Sequence, residues 1–308
     1  MIDSGRIAAA RVLVVGDAML DRYWFGEVER ISPEAPVPIV RVTREEHRLG
    51  GAANVARNIA AFGAQATLLT VIGDDEPARV LTRLLTEAGV VAQLGHDAQL
   101  TTTVKLRVSG RAQQLVRVDF ENAPDHEVLA AMLPEFEAAL DCHDAVLFSD
   151  YGKGGLAHIT AMIGMARAAG KPVLVDPKGS DYARYAGATV LTPNRAEFTQ
   201  VAGAWTDEDD LRRRAQDLRR RLGLEALLVT RSEDGMTLFD AAGQLDVAAE
   251  AREVFDITGA GDTVIATLAA LVATGVSLRD AMPLANRAGG IVVGKFGTAS
   301  ITYAEVCA

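Results

Sequence analysis

The chain has 308 residues, 49% of them hydrophobic, with a formal net charge of -10 and a pI near 5.1. That length allows one large α/β domain with a small appendage, 1–308 forming a single domain, and does not require two. The acidic balance argues against a nucleic-acid or anionic-membrane partner. The one arginine-rich stretch, Arg212 to Arg221, sits among Asp207, Glu208, Asp209, Asp210 and Asp217 and reads as a solvated helix face. Two cysteines, Cys142 and Cys307, form neither a CxxC pair nor a disulfide framework, and no apolar run approaches the roughly 20 residues of a membrane span. A cytoplasmic protein is expected. The five histidines lack ligand spacing, which leaves little room for a transition-metal centre.

Arg11 to Gly16 is a short apolar run that ends in Gly16-Asp17, as a buried parallel strand does where it opens into a site. Asp17 and Asp21 follow four apart, either as a loop cap or as ligand-facing carboxylates. Tyr23 to Val28 and Val37 to Val42 read as aromatic, proline-broken edge strands, which suit a small β lid better than the main sheet. Gly50-Gly51 precedes a helical pattern through Val55, Ile59 and Phe62; glycines there let backbone approach a ligand, and Asn54 can both donate and accept. Ala66 to Ile72 predicts a second buried strand, and Ala78 to Ala88 the helix after it. Thr101 to Val108 and Gln113 to Phe120 flank Ser109-Gly110, a two-residue hairpin signal, and complete a lid of about 22–43 and 101–120. Lys105, Arg107, Arg111 and Arg117 load that hairpin with positive charge.

From Ala145 the βα rhythm is regular: strands at 145–148, 172–175, 189–191 and 227–230, helices at 159–169, 196–201 and 211–222. Lys153 and Lys178 lie in Gly and Pro loops after strands, where each could meet a phosphate as a point charge. Asn194 with Glu197 three residues on is a capping-box pattern. Gly289 to Lys295 matches a phosphate-loop spacing, but Phe296 replaces the required Ser or Thr and no strand precedes it, so that reading is rejected. No G-x-G-x-x-G occurs, which removes direct support for a dinucleotide oxidoreductase.

Asp256-Ile257-Thr258-Gly259-Ala260-Gly261-Asp262-Thr263 opens a long apolar segment and reads as a turn leading into a helix. Its glycines allow a tight bend that points amides at one spot, where the helix dipole adds to their attraction for phosphate. Asp262, in the first turn, is expected to be ionised and to take a proton from a hydroxyl held beside the anion.

These eight residues resemble the Asp-Thr-x-Gly-Ala-Gly-Asp signature of the ribokinase-like PfkB sugar kinases, with Ile257 in place of the usual Thr. Gly50-Gly51-x-x-Asn54-x-Ala56 resembles that family's second signature. The resemblance spans the whole chain and implies an α/β fold: a central, mostly parallel sheet with helices on both faces and a small β lid. It implies ATP and Mg2+, with Asp262 as base and Gly259, Ala260 and Gly261 as anion hole. Asp17, Asp21 and Asn54 would face sugar hydroxyls, and Asn194, Arg195 and Glu197 the nucleotide phosphates, Glu197 reaching magnesium through water. Thr230 and Gly235 would belong to the nucleotide loop, although Ser232 stands where its first glycine would be. Asn286 would lie near the base and ribose, and Asp256 near a bound K+. Within the family, Gly16 to Asp21, Ile31 to Pro38 and Ser149 to Gly154 resemble the D-glycero-β-D-manno-heptose 7-phosphate kinases of lipopolysaccharide precursor synthesis. The substrate expected is then a sugar phosphate, with Lys105, Arg107, Lys153 or Lys178 available to a distal phosphate. A homodimer through the lid and a kinase without the adenylyltransferase domain bearing His-x-Gly-His are also expected. A kinase for a hexose phosphate, or a sugar-binding protein without turnover, are the alternatives.

Overall fold

Val12 and Val14 point into one apolar cluster and Leu13 and Val15 into another, so the first strand is buried on both sides with the period of two that a central strand requires. The structure is a computed structural model that describes residues 3–110, 113–250 and 254–307. Its strands are β1 (Arg11–Gly16), β2 (Ala18–Ile31), β3 (Pro38–Gly51), β4 (Gln65–Ile72), β5 (Val91–His96), β6 (Val104–Gly110), β7 (Gln113–Phe120), β8 (Ala145–Ser149), β9 (Val173–Asp176), β10 (Val190–Leu191), β11 (Ala226–Thr230), β12 (Met236–Asp240) and β13 (Gly243–Val247). The helices are α1 (Ser4–Ala9), α2 (Ala52–Phe62), α3 (Glu76–Glu87), α4 (His126–Ala131), α5 (Leu133–Leu140), α6 (Ile159–Ala168), α7 (Arg195–Ala202), α8 (Glu208–Leu222), α9 (Ala260–Ala273), α10 (Leu278–Val292) and α11 (Tyr303–Cys307).

The main sheet runs β13-β12-β11-β10-β9-β8-β1-β4-β5. It is parallel from β11 to β5, and β12 and β13 are added antiparallel at one edge. Helices α2, α3, α9 and α10 cover one face and α5, α6, α7 and α8 the other. Every residue of α9 from Asp262 to Leu271 is buried, which explains why the segment is apolar all round rather than amphipathic. Its N-terminus is thereby fixed at the C-terminal ends of β1, β8 and β9, where open α/β sheets bind ligands.

A second sheet, ordered β3-β2-β6-β7, leaves the first directly at Ala18 and returns at Gly51. Its long strands reach from 18 to 51, well past the expected 22–43. The extra length was hidden because Arg22, Arg44, Glu45, Glu46 and Arg48 are charged and break the apolar alternation, while cation-π contacts of Arg44 with Phe25 and of Arg48 with Tyr23 fill the space. Ser109 and Gly110 are not the hairpin turn; they pair with Gln114 and Gln113, and the connection, Arg111 included, lies outside the described residues. The rejected phosphate-loop match begins in the last turn of α10, where Gly289 and Gly290 are helical, and ends beyond it at Lys295, which binds the Ser300 carbonyl and Glu305. Arg212, Arg213, Arg214 and Arg220 of α8 pair along their own helix with Asp209, Asp210 and Asp217. No helix of the described residues is long and apolar enough to cross a membrane.

Candidate active site

Gly259 caps α9 with φ of +77°, and a side chain there would crowd the Asn54 amide, so glycine is required twice over. The amides of Gly259, Gly261 and Asp262 have no acceptor among the described residues. The Ala260 amide donates to the Ile257 carbonyl at 3.2 Å, which takes it out of the expected anion hole. A Cβ on Gly261 would meet nothing within 4 Å, leaving room beside those amides for a ligand.

Asp262 is 5% exposed and held at both oxygens: Tyr151 donates its hydroxyl to Oδ1 at 2.5 Å, and Asn54 donates Nδ2 to Oδ2 at 2.5 Å. Burial pushes its carboxyl above the usual range, with Asp21 adding to the rise, while Tyr151, Asn54 and Arg57 oppose it. The carboxylate is therefore less readily ionised than its place in a first turn suggested. Asp176, at the end of β9, is pushed up still more strongly by burial and by Asp262 and Glu197.

A cavity of about 230 Å³ gathers Gly259, Gly261, Asp262, Lys178, Asn194, Glu197 and Thr230 of the expected residues, and adds Asp150, Tyr151 and Asp176. Asn194 and Glu197 form the capping box of α7, the Asn194 side chain accepting from the Glu197 amide and the Glu197 side chain from the Asn194 amide. Lys178 bonds Glu197 at 2.8 Å, and that bond raises its own pKa. Among the described residues no cluster of three or more His, Cys, Asp or Glu could hold a metal. A magnesium ion shared with substrate phosphates needs only one or two carboxylates and water, and the crowded Glu197 and Asp176 side of the cavity fits a cation on charge.

Other residues lie elsewhere. The Asp17 carboxylate accepts the amides of Tyr151, Lys153 and Gly155 at 2.9, 3.0 and 2.9 Å, so it organises the loop after β8. Asn54 is fully buried and turned toward Asp262; its Oδ1 takes Arg57 at 2.8 Å, and Arg57 also binds the Thr298 carbonyl at 2.5 Å. Gly51, at φ +57°, lies where a Cβ would overlap the Asp17 carbonyl, and Gly50 packs against Asp21. Asn286 ties α10 to the Ala248 carbonyl at 2.8 Å rather than facing the cavity. Gly235 packs on residues 247–249, and Arg195 pairs with Asp234. Ser232 sits at φ +55°, which gives a backbone reason for a glycine there. Asp256 accepts the amides of Thr258 and Gly297, both at 2.9 Å; although burial raises its pKa, these bonds hold it below the ordinary value.

The cations also separate. Arg107 pairs with Asp21 at 2.8 Å, and Lys153 with Glu121 at 2.5 Å. Lys105 has no ion-pair or hydrogen-bond partner among the described residues; its ammonium lies 5.5 Å from the Tyr151 ring centre, and burial lowers its pKa. Tyr151, Asp176 and Arg57 were missed as site residues. Asp176 had a signal, since it closes a buried strand before a Pro-Lys-Gly loop; the other two act through contacts remote in sequence.

A carboxylate beside open amides at a helix N-terminus, above the strand ends of a parallel sheet, is the arrangement of a phosphotransferase acting on a hydroxyl. Residues 9–304 match the profile of the pfkB family carbohydrate kinases, and the chain belongs to that family. It is 59% identical over 301 residues to the D-beta-D-heptose 7-phosphate kinase of Bordetella bronchiseptica, covering 98% of this chain and 96% of the relative. It is 54% identical over 298 residues to Bifunctional protein HldE of Methylococcus capsulatus, where 96% of this chain spans 63% of that protein. Among solved structures it resembles Escherichia coli phosphofructokinase-2 in complex with potassium, with a TM-score of 0.81 at 20% identity and 97% of each chain covered. Arabidopsis thaliana ribokinase complexed with ribose and ATP gives 0.77 at 19% identity, covering 97% of this chain and 98% of that one. The fold is thus ribokinase-like.

Proposed function

We propose that this carbohydrate kinase transfers the γ-phosphoryl group of ATP to the anomeric hydroxyl of D-glycero-β-D-manno-heptose 7-phosphate, giving the 1,7-bisphosphate for lipopolysaccharide heptose synthesis. The identity to a heptose 7-phosphate kinase across nearly both chains carries the substrate. The chemistry rests on Asp262 and the open amides beside it. Asp262 takes the hydroxyl proton as that oxygen attacks the γ-phosphorus, the bond to the β-phosphate oxygen breaks, and ADP leaves. Amides of Gly259, Gly261 and Asp262 hold the charge on the transferring group. Glu197 would hold magnesium through water, and the ion would neutralise charge on the phosphates. Asp256, where the 256–258 turn meets Gly297, is the nominee for a K+ site. The sheet β3-β2-β6-β7 serves as a lid over the sugar and as the contact of a homodimer, and two free cysteines fit a cytoplasmic setting.

Lys105 is the side chain we assign to the distal phosphate, because the other cations near the site already have carboxylate partners. One charge-assisted contact contributes about 1.5–3 kcal/mol, so a phosphorylated sugar should exceed its free form by roughly one to two powers of ten in kcat/KM. ADP release measured side by side with heptose 7-phosphate, fructose 6-phosphate, free heptose and ribose tests this. Lys105→Ala should erase the preference for the phosphorylated sugar with the KM for ATP nearly unchanged. Equal turnover of heptose and heptose 7-phosphate by the parent would remove the distal clamp, and faster turnover of fructose 6-phosphate would make it a hexose phosphate kinase.

A further inference from the structure

The loop after β8 serves the site in a way that charge and motif do not explain. Tyr151 is clamped from three sides: its amide donates to Asp17 at 2.9 Å, its hydroxyl to Asp262 Oδ1 at 2.5 Å, and its ring lies under the Lys105 ammonium at 5.5 Å. A carboxylate has about four acceptor positions. Tyr151 on Oδ1 and Asn54 on Oδ2 use one on each oxygen, leaving one on each for a substrate hydroxyl and fixing the rotation of the group.

We propose that Tyr151 is a positioning residue for phosphoryl transfer, its hydroxyl orienting the Asp262 carboxylate and holding it ionised, while the cation over its ring strengthens it as a donor. This rests on Asp262 being the base. The groups that face Asp262 are Asp21 from β2, Arg57 from α2, Tyr151 from the loop after β8 and Asp176 from the end of β9. Of these the two carboxylates disfavour its ionised form, and among the described residues Tyr151 and Asn54 are the side chains that donate to it directly. A phosphate arriving at Lys105 would draw the ammonium from the ring and weaken the donor, making the base stronger when the substrate is in place.

The experiment is the pH dependence of kcat for the parent, Tyr151→Phe, Asp262→Asn and an enzyme carrying 3-fluorotyrosine, a more acidic phenol, at position 151. Tyr151→Phe should lower kcat roughly ten- to a hundred-fold, the worth of one hydrogen bond to a charged group, with the KM for ATP unchanged. Its acid limb should move up by roughly one to two pH units, because a donor to the ionised form has been lost. The fluorinated enzyme should move the limb down. A Tyr151→Phe enzyme with the parent's kcat and acid limb overturns the proposal. Should that variant fail to fold, an unmoved limb in the fluorinated enzyme overturns it equally. Parental turnover by Asp262→Asn overturns the base assignment itself, whatever Tyr151 does.

Discussion

Asp262 is asked to be buried and to carry a charge, and its surroundings show how that conflict is held. Burial favours the protonated carboxyl, and two side-chain donors together with the Arg57 guanidinium act the other way. A base whose pKa has been raised toward the working pH takes a proton more readily than an ordinary aspartate. Asp262→Asn keeps the shape and the hydrogen-bonding size of the residue, so it should leave ATP binding intact and lower turnover by about two to four powers of ten. Rates within a few-fold of the parent would sink the assignment. At this scale the sequence pointed to Asp262 as the proposed base, since an aspartate following Gly-Ala-Gly is local information. It did not disclose the support, since Tyr151 and Asn54 lie 111 and 208 positions away and meet Asp262 only through the fold. The sequence singled out Asn54 but not its orientation, because Arg57, one helical turn on, holds its side-chain oxygen.

Elements were legible where composition and position agree. β1 and β8 are uninterrupted apolar strands because helices cover both faces, and α9 is apolar all round because it is walled in by α2, α10 and the sheet. β5 and β13 were not recognised: both lie at sheet edges and are only partly buried, so their patterns carry little signal. α4 and α5 were passed over, being short and separated by a break at Met132 with Pro134 following. The second sheet was recognised by its aromatics but cut short by its charges. Its surface still exposes Ile31, Val37, Val42, Leu115, Val116, Val118 and Phe120, an apolar set that a lone edge would not leave open to water. If this face joins two copies, Val116→Lys combined with Val118→Lys should turn a dimer into a monomer in light scattering while circular dichroism stays unchanged. A parent that is monomeric at micromolar concentration would refute the contact.

Across the whole molecule, function and stability pull in opposite directions with pH. Asp262 and Asp176 have folded pKa values raised above 3.8, so the stability linked to them is fully present below that pH and is lost as pH rises through the folded values. His143 acts in reverse: buried between the Ala139 carbonyl and the Thr67 hydroxyl, at 2.7 and 2.8 Å, it is held below 6.5 by burial. Its contribution is present above that pH and is lost as pH falls toward the folded value. The fold is therefore weakened on the acid side by a histidine at the far ends of the strands and on the neutral side by carboxylates at the site. Asp176 is the sharper test, because it faces Asp262, Glu197 and Asp150, and only Lys178 opposes them among the described residues. Asp176→Asn should raise stability at pH 8 by roughly 0.5–2 kcal/mol, the usual gain from relieving one unfavourable interaction, at a cost in turnover if the carboxylate serves the phosphates. The gain should shrink as pH falls toward 4, because burial and the neighbouring carboxylates favour protonation of the parent's Asp176. A melting temperature that falls at pH 8, or a gain that persists unchanged to pH 4, would show that Asp176 is not held against its own charge, and that a partner offsets the crowding of carboxylates at the ends of β8 and β9.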